Sequence, residues 1–132
     1  MILNHLIDII GSRVFVYYNL HKKCFSIRAL TGDKKRLVVA HSPYVLLSNA
    51  LSSVSIAGMQ RVRRTKQKNV HAGFKGTLLS LDQQHSLKGV SITYNPYLYD
   101  SFVYKNNTDI SVDTEELRDY YLHNKQILQL DK

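Results

Sequence analysis

The sequence lacks a second cysteine and a long apolar run. Cys24 is the only cysteine, which excludes an intramolecular disulfide and fits a reducing compartment. No run approaches the roughly 20 apolar residues that a membrane-spanning helix needs. The apolar start of the chain contains His5 and Asp8 and has no basic region, so we expect residues 1–12 to pack on the body rather than act as a signal peptide.

Acidic side chains are also scarce over most of the chain. Residues 1–99 contain 14 Lys and Arg against three Asp, a net charge of +11, whereas residues 100–132 contain four basic and seven acidic side chains, a net charge of −3. So few carboxylates disfavour a magnesium site, and we expect no metal or other cofactor. The positive field attracts phosphate-bearing ligands, anionic surfaces or acidic proteins.

Four familiar signatures are missing: a Gly-rich phosphate loop, H-E-x-x-H, C-x-x-C and G-x-S-x-G. Their absence argues against P-loop nucleotidases, zinc proteases, Cys-rich zinc or redox sites and α/β-hydrolases. Cys24 by itself is most simply a packing residue.

Alternating and β-branched segments predict a mainly β protein of the α+β class. In Cys24–Leu30 the residues Phe25 and Ile27 fall on one face and Arg28 on the other. The fold predicted is a small antiparallel sheet or part-open barrel with a C-terminal helix, forming a single domain over 1–132 with its β-rich body at 13–104. The other predicted strands are 13–20, 36–40, 89–94 and 101–104.

Two further elements carry most of the charge. A hairpin is predicted with arms at 60–64 and 69–79 and a tip at 65–68, and Gly73 in its second arm indicates a bulge or a close backbone approach. An acidic helix is predicted over 109–132, because Asp113 and Glu116 have capping-box spacing and Leu117 begins a stripe at helical spacing.

The basic hairpin is the strongest candidate site. Five cations within eight residues cannot all be buried unpaired, so they face water or a ligand. The functional interpretation is a surface that binds phosphate or nucleic acid, and the alternative is a solvated hairpin. The candidate phosphate-binding side chains in and beside the hairpin are Arg61, Arg63, Arg64, Lys66, Lys68, Asn69 and Lys75.

His71 and His41 suggest a catalytic alternative. Cations around His71 favour its neutral form, in which the imidazole can act as a base. With His41 as a second imidazole and Lys68 as the cation, the set suffices for metal-independent phosphodiester chemistry. The alternative for each histidine is a hydrogen-bonded structural role, and the sequence does not show whether the two share a pocket.

A tyrosine-rich segment adds candidate stacking residues. Tyr94, Asn95 and Tyr97 suit base stacking beside a cationic groove, or equally a packing role in a small sheet. For Tyr17 and Tyr18 we favour half-buried packing.

Several segments together resemble a family of small, mostly uncharacterised accessory proteins of bacteriophages and prophages. The resemblance covers roughly positions 13–104 and rests most clearly on the K-N-V-H-A sequence at 68–72 and the Y-N-P-Y sequence at 94–97. It implies a phage accessory protein acting in the bacterial cytoplasm, with an anti-defence role as one possibility, and it carries over no catalytic residue.

Three functions remain open at this point. The first is binding of nucleic acid or a phosphorylated small molecule, and the second is a metal-independent nuclease or cyclic-nucleotide phosphodiesterase. The third is stoichiometric inhibition of an acidic host protein. No membrane partner is expected, and self-association between the basic hairpin and the acidic region stays open.

Overall fold

Within the part of the chain that the structure describes, ten strands form one antiparallel sheet. The computed structural model describes residues 9–83 and 87–130. The strands are β1 (Arg13–Asn19), β2 (Cys24–Ala29), β3 (Val38–Ser42), β4 (Tyr44–Val54), β5 (Ala72–Ser80), β6 (Gly89–Thr93), β7 (Val103–Tyr104), β8 (Asn107–Ser111), β9 (Arg118–His123) and β10 (Gln126–Leu130). Helix α1 (Ile56–Thr65) connects β4 to β5.

The strand order is β3-β2-β1-β5-β4-β9-β10-β6-β7-β8, and every neighbouring pair is antiparallel. The first three strands form a meander, as the alternation in the sequence predicts. Strand β5 then inserts beside β1, so that Phe15 lies opposite Lys75. This placement brings the segment that precedes β5 close to the first meander.

One face of the sheet carries the hydrophobic core. Val14, Val16 and Ile27 are fully buried on that face, and Phe25 is nearly so. The sheet curves so that residues of both ends share this core: the ring of Phe74 lies 4.8 Å from that of Phe102 near β7. The other face of β1 and β2, which we call the polar face, carries the partly exposed Phe15, Tyr17 and Arg28 and the fully buried Ser26. This sorting of side chains follows from the period of two along a strand. The mainly β prediction is therefore confirmed.

Helix α1 is defined by its two caps. The Ser55 hydroxyl accepts a hydrogen bond from the backbone N–H of Gly58, the N-cap interaction that Ser favours. At the other end Lys66 adopts the left-handed conformation and its N–H donates to the carbonyl of Val62. Met59 and Val62, three residues apart, are the buried residues of the helix.

The prediction of a hairpin at 60–79 is therefore wrong in its first arm. Residues 60–64 belong to α1, and the segment predicted as the tip contains the end of α1 and its cap. The sequence signal for the helix is Ser55 followed by the apolar pair Met59 and Val62. Only the second arm is a strand, β5, and it pairs with β1 and β4.

The predicted C-terminal helix is also wrong, because β9 and β10 form a hairpin there. Asn124 and Lys125 lie between the paired residues His123 and Gln126 and both have positive φ, 48° and 71°. Two positive φ values are what a type I′ hairpin turn requires. The side chain of Asp113 accepts from the N–H of Glu115 in a local turn, where a helix cap was predicted.

Two smaller predictions concern the edges of the structure. The strand predicted at 36–40 lies two residues later, in β3. Residues 1–8 of the predicted packing segment lie outside the described residues, and Ile9 packs against the core.

Among the described residues, no helix has the length and apolar content that crossing a membrane requires.

Candidate functional site

His71 is held by hydrogen bonds at both ring nitrogens. Its Nδ1 lies 2.9 Å from the side-chain Oδ1 of Asn69 and its Nε2 lies 2.8 Å from the hydroxyl of Tyr94. An amide oxygen only accepts, so in the neutral ring the proton is on Nδ1. Nε2 is then the acceptor of the Tyr94 hydroxyl. The three side chains form a chain in which Asn69 orients His71 and His71 holds Tyr94.

Burial extends the pH range over which Tyr94 stays protonated. Loss of hydration raises the pKa of Tyr94 to about 12, although the nearby charge of Arg63 lowers it and that of Asp100 raises it. The phenol is therefore a hydrogen-bond donor at neutral pH. Because this donor occupies Nε2 of His71, the imidazole acts here as a fixed acceptor.

The backbone around His71 is fixed by the start of α1. The N–H of Ser55 donates to the carbonyl of His71 at 2.7 Å. Gly58 lies so close that a Cβ built on it would be 2.5 Å from the Cβ of His71. Glycine at this position therefore permits the helix to approach the segment that precedes β5.

Arg63 fastens α1 to the loop at 94–100. Its Nε donates to the carbonyl of Pro96, and its Nη2 lies 3.1 Å from both the carbonyl of Tyr99 and the carboxylate of Asp100. Asn95 closes the same loop, since its side-chain oxygen accepts from the N–H of Tyr97. The rigid guanidinium fork suits several fixed acceptors at once. Arg63 therefore has protein partners, which distinguishes it from its neighbours.

The remaining cations of this segment are exposed. Within the described part of the chain, the side chains of Arg61, Arg64 and Lys68 make no ion pair or hydrogen bond. Lys66 places its ammonium 5.1 Å from the ring centre of Tyr97, a cation–π contact. Tyr97 is 49% exposed, so one ring stays accessible beside the cations.

An open groove of about 390 Å³ is lined by His71 together with residues of β1, β2, β4 and β5 and of the neighbouring loops. Among the described residues that line it, three are cations and none is acidic. Ser55, the N-cap of α1, also lies in its wall, so the positive end of the helix dipole adds to the field. The lining residues are Phe15, Arg28, Leu30, Arg36, Ser53, Ser55, Val70, His71 and Lys75.

Beside the groove, two aromatic rings and a guanidinium lie together on β1 and β2. The ring centres of Phe15 and Tyr17 are 6.1 Å apart, and the guanidinium carbon of Arg28 lies 5.8 Å and 5.6 Å from them. Tyr17 was expected only to pack. The signal in the sequence is that Phe15, Tyr17 and Arg28 alternate with buried residues, which places all three on the polar face.

His41 lies elsewhere on that face. Its Nδ1 is 2.9 Å from the hydroxyl of Ser26, which in turn accepts from the side chain of Asn19. Of the described residues, those that line the groove include His71 but not His41. The proposed catalytic set of His41, His71 and Lys68 is therefore not gathered in this groove.

Metal-ligating side chains are not clustered in the described part of the chain. Within residues 9–83 and 87–130, no group of three or more His, Cys, Asp or Glu side chains is placed to hold a metal ion.

Comparison with known proteins agrees with the resemblance to phage proteins. The family model described as the Mycobacterium phage L5 gene 82 protein matches residues 9–129. A curated relative, the gene 82 protein of Mycobacterium phage L5, is 47% identical over 100 residues, which cover 71% of this chain and 79% of the relative. No solved structure matches the chain. The chain therefore belongs to the family of the Mycobacterium phage L5 gene 82 protein.

Proposed function

We propose that this phage accessory protein binds nucleic acid through the exposed cations at the end of α1. The observation that carries the proposal is the difference between Arg63 and its neighbours. Arg63 is bound to the loop at 94–100, whereas Arg61, Arg64 and Lys68 are exposed and have no side-chain partner among the described residues. Cations without internal partners are available to an external anion.

The spacing of these cations supports the proposal. Arg61 and Arg64 are three residues apart on α1, so they lie on the same side of the helix. Like charges at this spacing repel each other modestly, and no acidic residue occurs between Lys34 and Leu81 to offset them. Closely spaced phosphates relieve that repulsion.

Tyr97 favours nucleic acid over an acidic protein as the partner. Its ring is half-exposed beside Lys66, so a base can stack on it while nearby phosphates contact the cations. Every phosphate of a nucleic acid is accompanied by a planar base, whereas the carboxylates of an acidic peptide are not regularly accompanied by rings.

Salt-dependent binding tests this proposal. Fluorescence anisotropy with a labelled duplex and a labelled single strand, over a series of salt concentrations, should give affinity that falls steeply with salt. Each lost phosphate contact should reduce the slope of log K against log salt by about 0.7–0.9. The triple variant Arg61→Gln, Arg64→Gln, Lys68→Gln should therefore bind more weakly and with a shallower slope.

The matched control removes the same charge elsewhere. Lys22, Lys34 and Lys35 are exposed in other turns, and their replacement by Gln should leave the slope closer to that of the unmodified protein. Equal losses in the two triple variants, or affinity that does not change with salt, would contradict the proposal. Denaturing gels of the same samples in EDTA should show intact strands, and cut strands would instead indicate a metal-independent nuclease.

A further inference from the structure

We propose that Phe15, Tyr17 and Arg28 form a stacking site for unpaired bases, so that the protein binds single-stranded nucleic acid in preference to duplex. The proposal rests on nucleic acid being the ligand, as proposed above. It concerns a different surface, which lies on the polar face of β1 and β2. We call the three residues Phe15, Tyr17 and Arg28 on that surface the stacking face.

The three groups pack against one another, with the guanidinium of Arg28 over both rings. Phe15 and Tyr17 are two residues apart on β1, and their rings are inclined by 31° with centres 6.1 Å apart. Arg28 lies opposite Phe15 on β2, and its guanidinium is within 6 Å of both ring centres. Aromatic rings and guanidinium planes are the two side-chain groups on which unstacked bases pack.

This surface is not part of the core. The residues that alternate with it, Val14 and Val16, are fully buried on the opposite face, whereas Phe15 and Tyr17 remain half-exposed. Nε of Arg28 is shielded from solvent and has no hydrogen-bond partner in the described part of the chain. Two partly exposed aromatic rings beside a guanidinium give an unpaired base a surface on which to stack.

The adjoining groove provides the complementary charge. Phe15 and Arg28 belong both to the stacking face and to the groove wall, and Lys75 lies opposite Phe15 on β5. Arg36 adds a third cation to the wall, and no acidic side chain is among the described residues that line it. A base on the stacking face would therefore have its phosphates beside these cations.

The arrangement favours single strands because the bases of a duplex are already stacked and paired. Only a strand with unpaired bases can lay a base flat on the surface of the sheet. The outer surface of a duplex consists mainly of its phosphates and sugars. The cations of α1 can bind the phosphates of either form, whereas the stacking face can bind only a single strand.

The test compares single-stranded oligo-dT and oligo-U with a duplex of the same length. The variants Tyr17→Leu and Phe15→Leu retain apolar bulk but remove the ring, and Arg28→Lys retains the charge but removes the plane. Each should weaken single-strand binding about 5- to 150-fold, the range expected for one stacked base, and leave duplex binding nearly unchanged. Thermal melting establishes that each variant is folded, and Arg28→Lys provides the result if a ring variant is not.

Tyr44→Leu is the matched control. Tyr44 is also half-exposed, but it stacks on His123 rather than on the stacking face, so its replacement should not change single-strand affinity. Unchanged single-strand binding in all three variants would overturn the proposal while leaving binding through α1 intact. Equal losses for duplex and single strand would also overturn it. If the unmodified protein binds neither form, the proposed function itself fails.

Discussion

The hydroxyl of Tyr94 donates a hydrogen bond to Nε2 of His71 across 2.8 Å, and their rings meet edge to face with centres 5.5 Å apart. The two residues belong to different parts of the chain, one preceding β5 and the other following β6. Because Asn69 holds the opposite nitrogen of the imidazole, the contact ties the segment after α1 to the loop at 94–100. His71 therefore stabilises the packing of the segment that follows α1, in which some of the exposed cations lie.

Replacement of Tyr94 by Phe should lower the free energy of unfolding by about 0.5–1.5 kcal/mol. The ring stays in place, but Nε2 of His71 loses its donor in a half-buried site. Chemical denaturation monitored by circular dichroism measures the difference. Tyr97→Phe is the control, because Tyr97 is half-exposed and contacts Lys66 through its ring. The free energy of unfolding of this variant should change by less than about 0.5 kcal/mol. Equal stability of the two variants would contradict this role for the hydroxyl.

The same phenol should make stability depend on alkaline pH. Its pKa rises from the ordinary tyrosine value of 10.0 to about 12 in the folded protein, so the folded state retains this proton where the unfolded state loses it. The resulting stabilisation is complete below pH 10 and is lost as the pH rises towards 12. Unfolding measured between these values should show a shallower decline in Tyr94→Phe than in the unmodified protein. Parallel curves would show that the phenol does not contribute.

Arg63 and Arg64 should respond differently to replacement by Lys. Arg63→Lys loses the fork that joins Pro96, Tyr99 and Asp100, so it should destabilise the protein by about 1–3 kcal/mol. Arg64→Lys should change stability by less than about 0.5 kcal/mol, because its side chain is exposed. Thermal and chemical unfolding of the two single variants measure the contrast. A larger loss for Arg64 would contradict the assignment.

The strands were predictable where one face is buried. In β1 and β2 the alternation identifies both the strand and its core face, and the close approach at Gly73 is confirmed by the backbone oxygen of Val16, 2.3 Å from where a Cβ would stand. The prediction of a C-terminal helix was wrong because Tyr120 and Tyr121 are both buried. Adjacent buried residues fit the apolar stripe of a helix as well as they fit a strand that is covered on both faces. Asn124, which has a positive φ in the turn between β9 and β10, is the residue that signals the turn.

The sequence predicted which residues belong to the candidate site, but not which residues they contact. The cluster of cations after position 60, and the position of His71 beside it, are visible in the sequence alone. The partners do not: Arg63 contacts residues more than 30 positions away, and His71 contacts Tyr94 across 23 positions. Such pairings depend on which strands are neighbours, and local patterns do not encode this order.

Gly58 provides the sharpest test of how closely α1 approaches His71. Alanine is the better helix former by about 1 kcal/mol, so Gly58→Ala would stabilise an isolated helix. In this protein the new Cβ would lie 2.5 Å from the Cβ of His71, far inside van der Waals contact, and neither atom can rotate away. Overpacking of this kind costs about 1–3 kcal/mol. We therefore expect Gly58→Ala to be less stable than the unmodified protein in chemical denaturation, and Gln60→Ala, an exposed position on the same helix, to be as stable or slightly more so. A stabilised Gly58→Ala variant would mean that α1 and the His71 segment are farther apart than the structure has them.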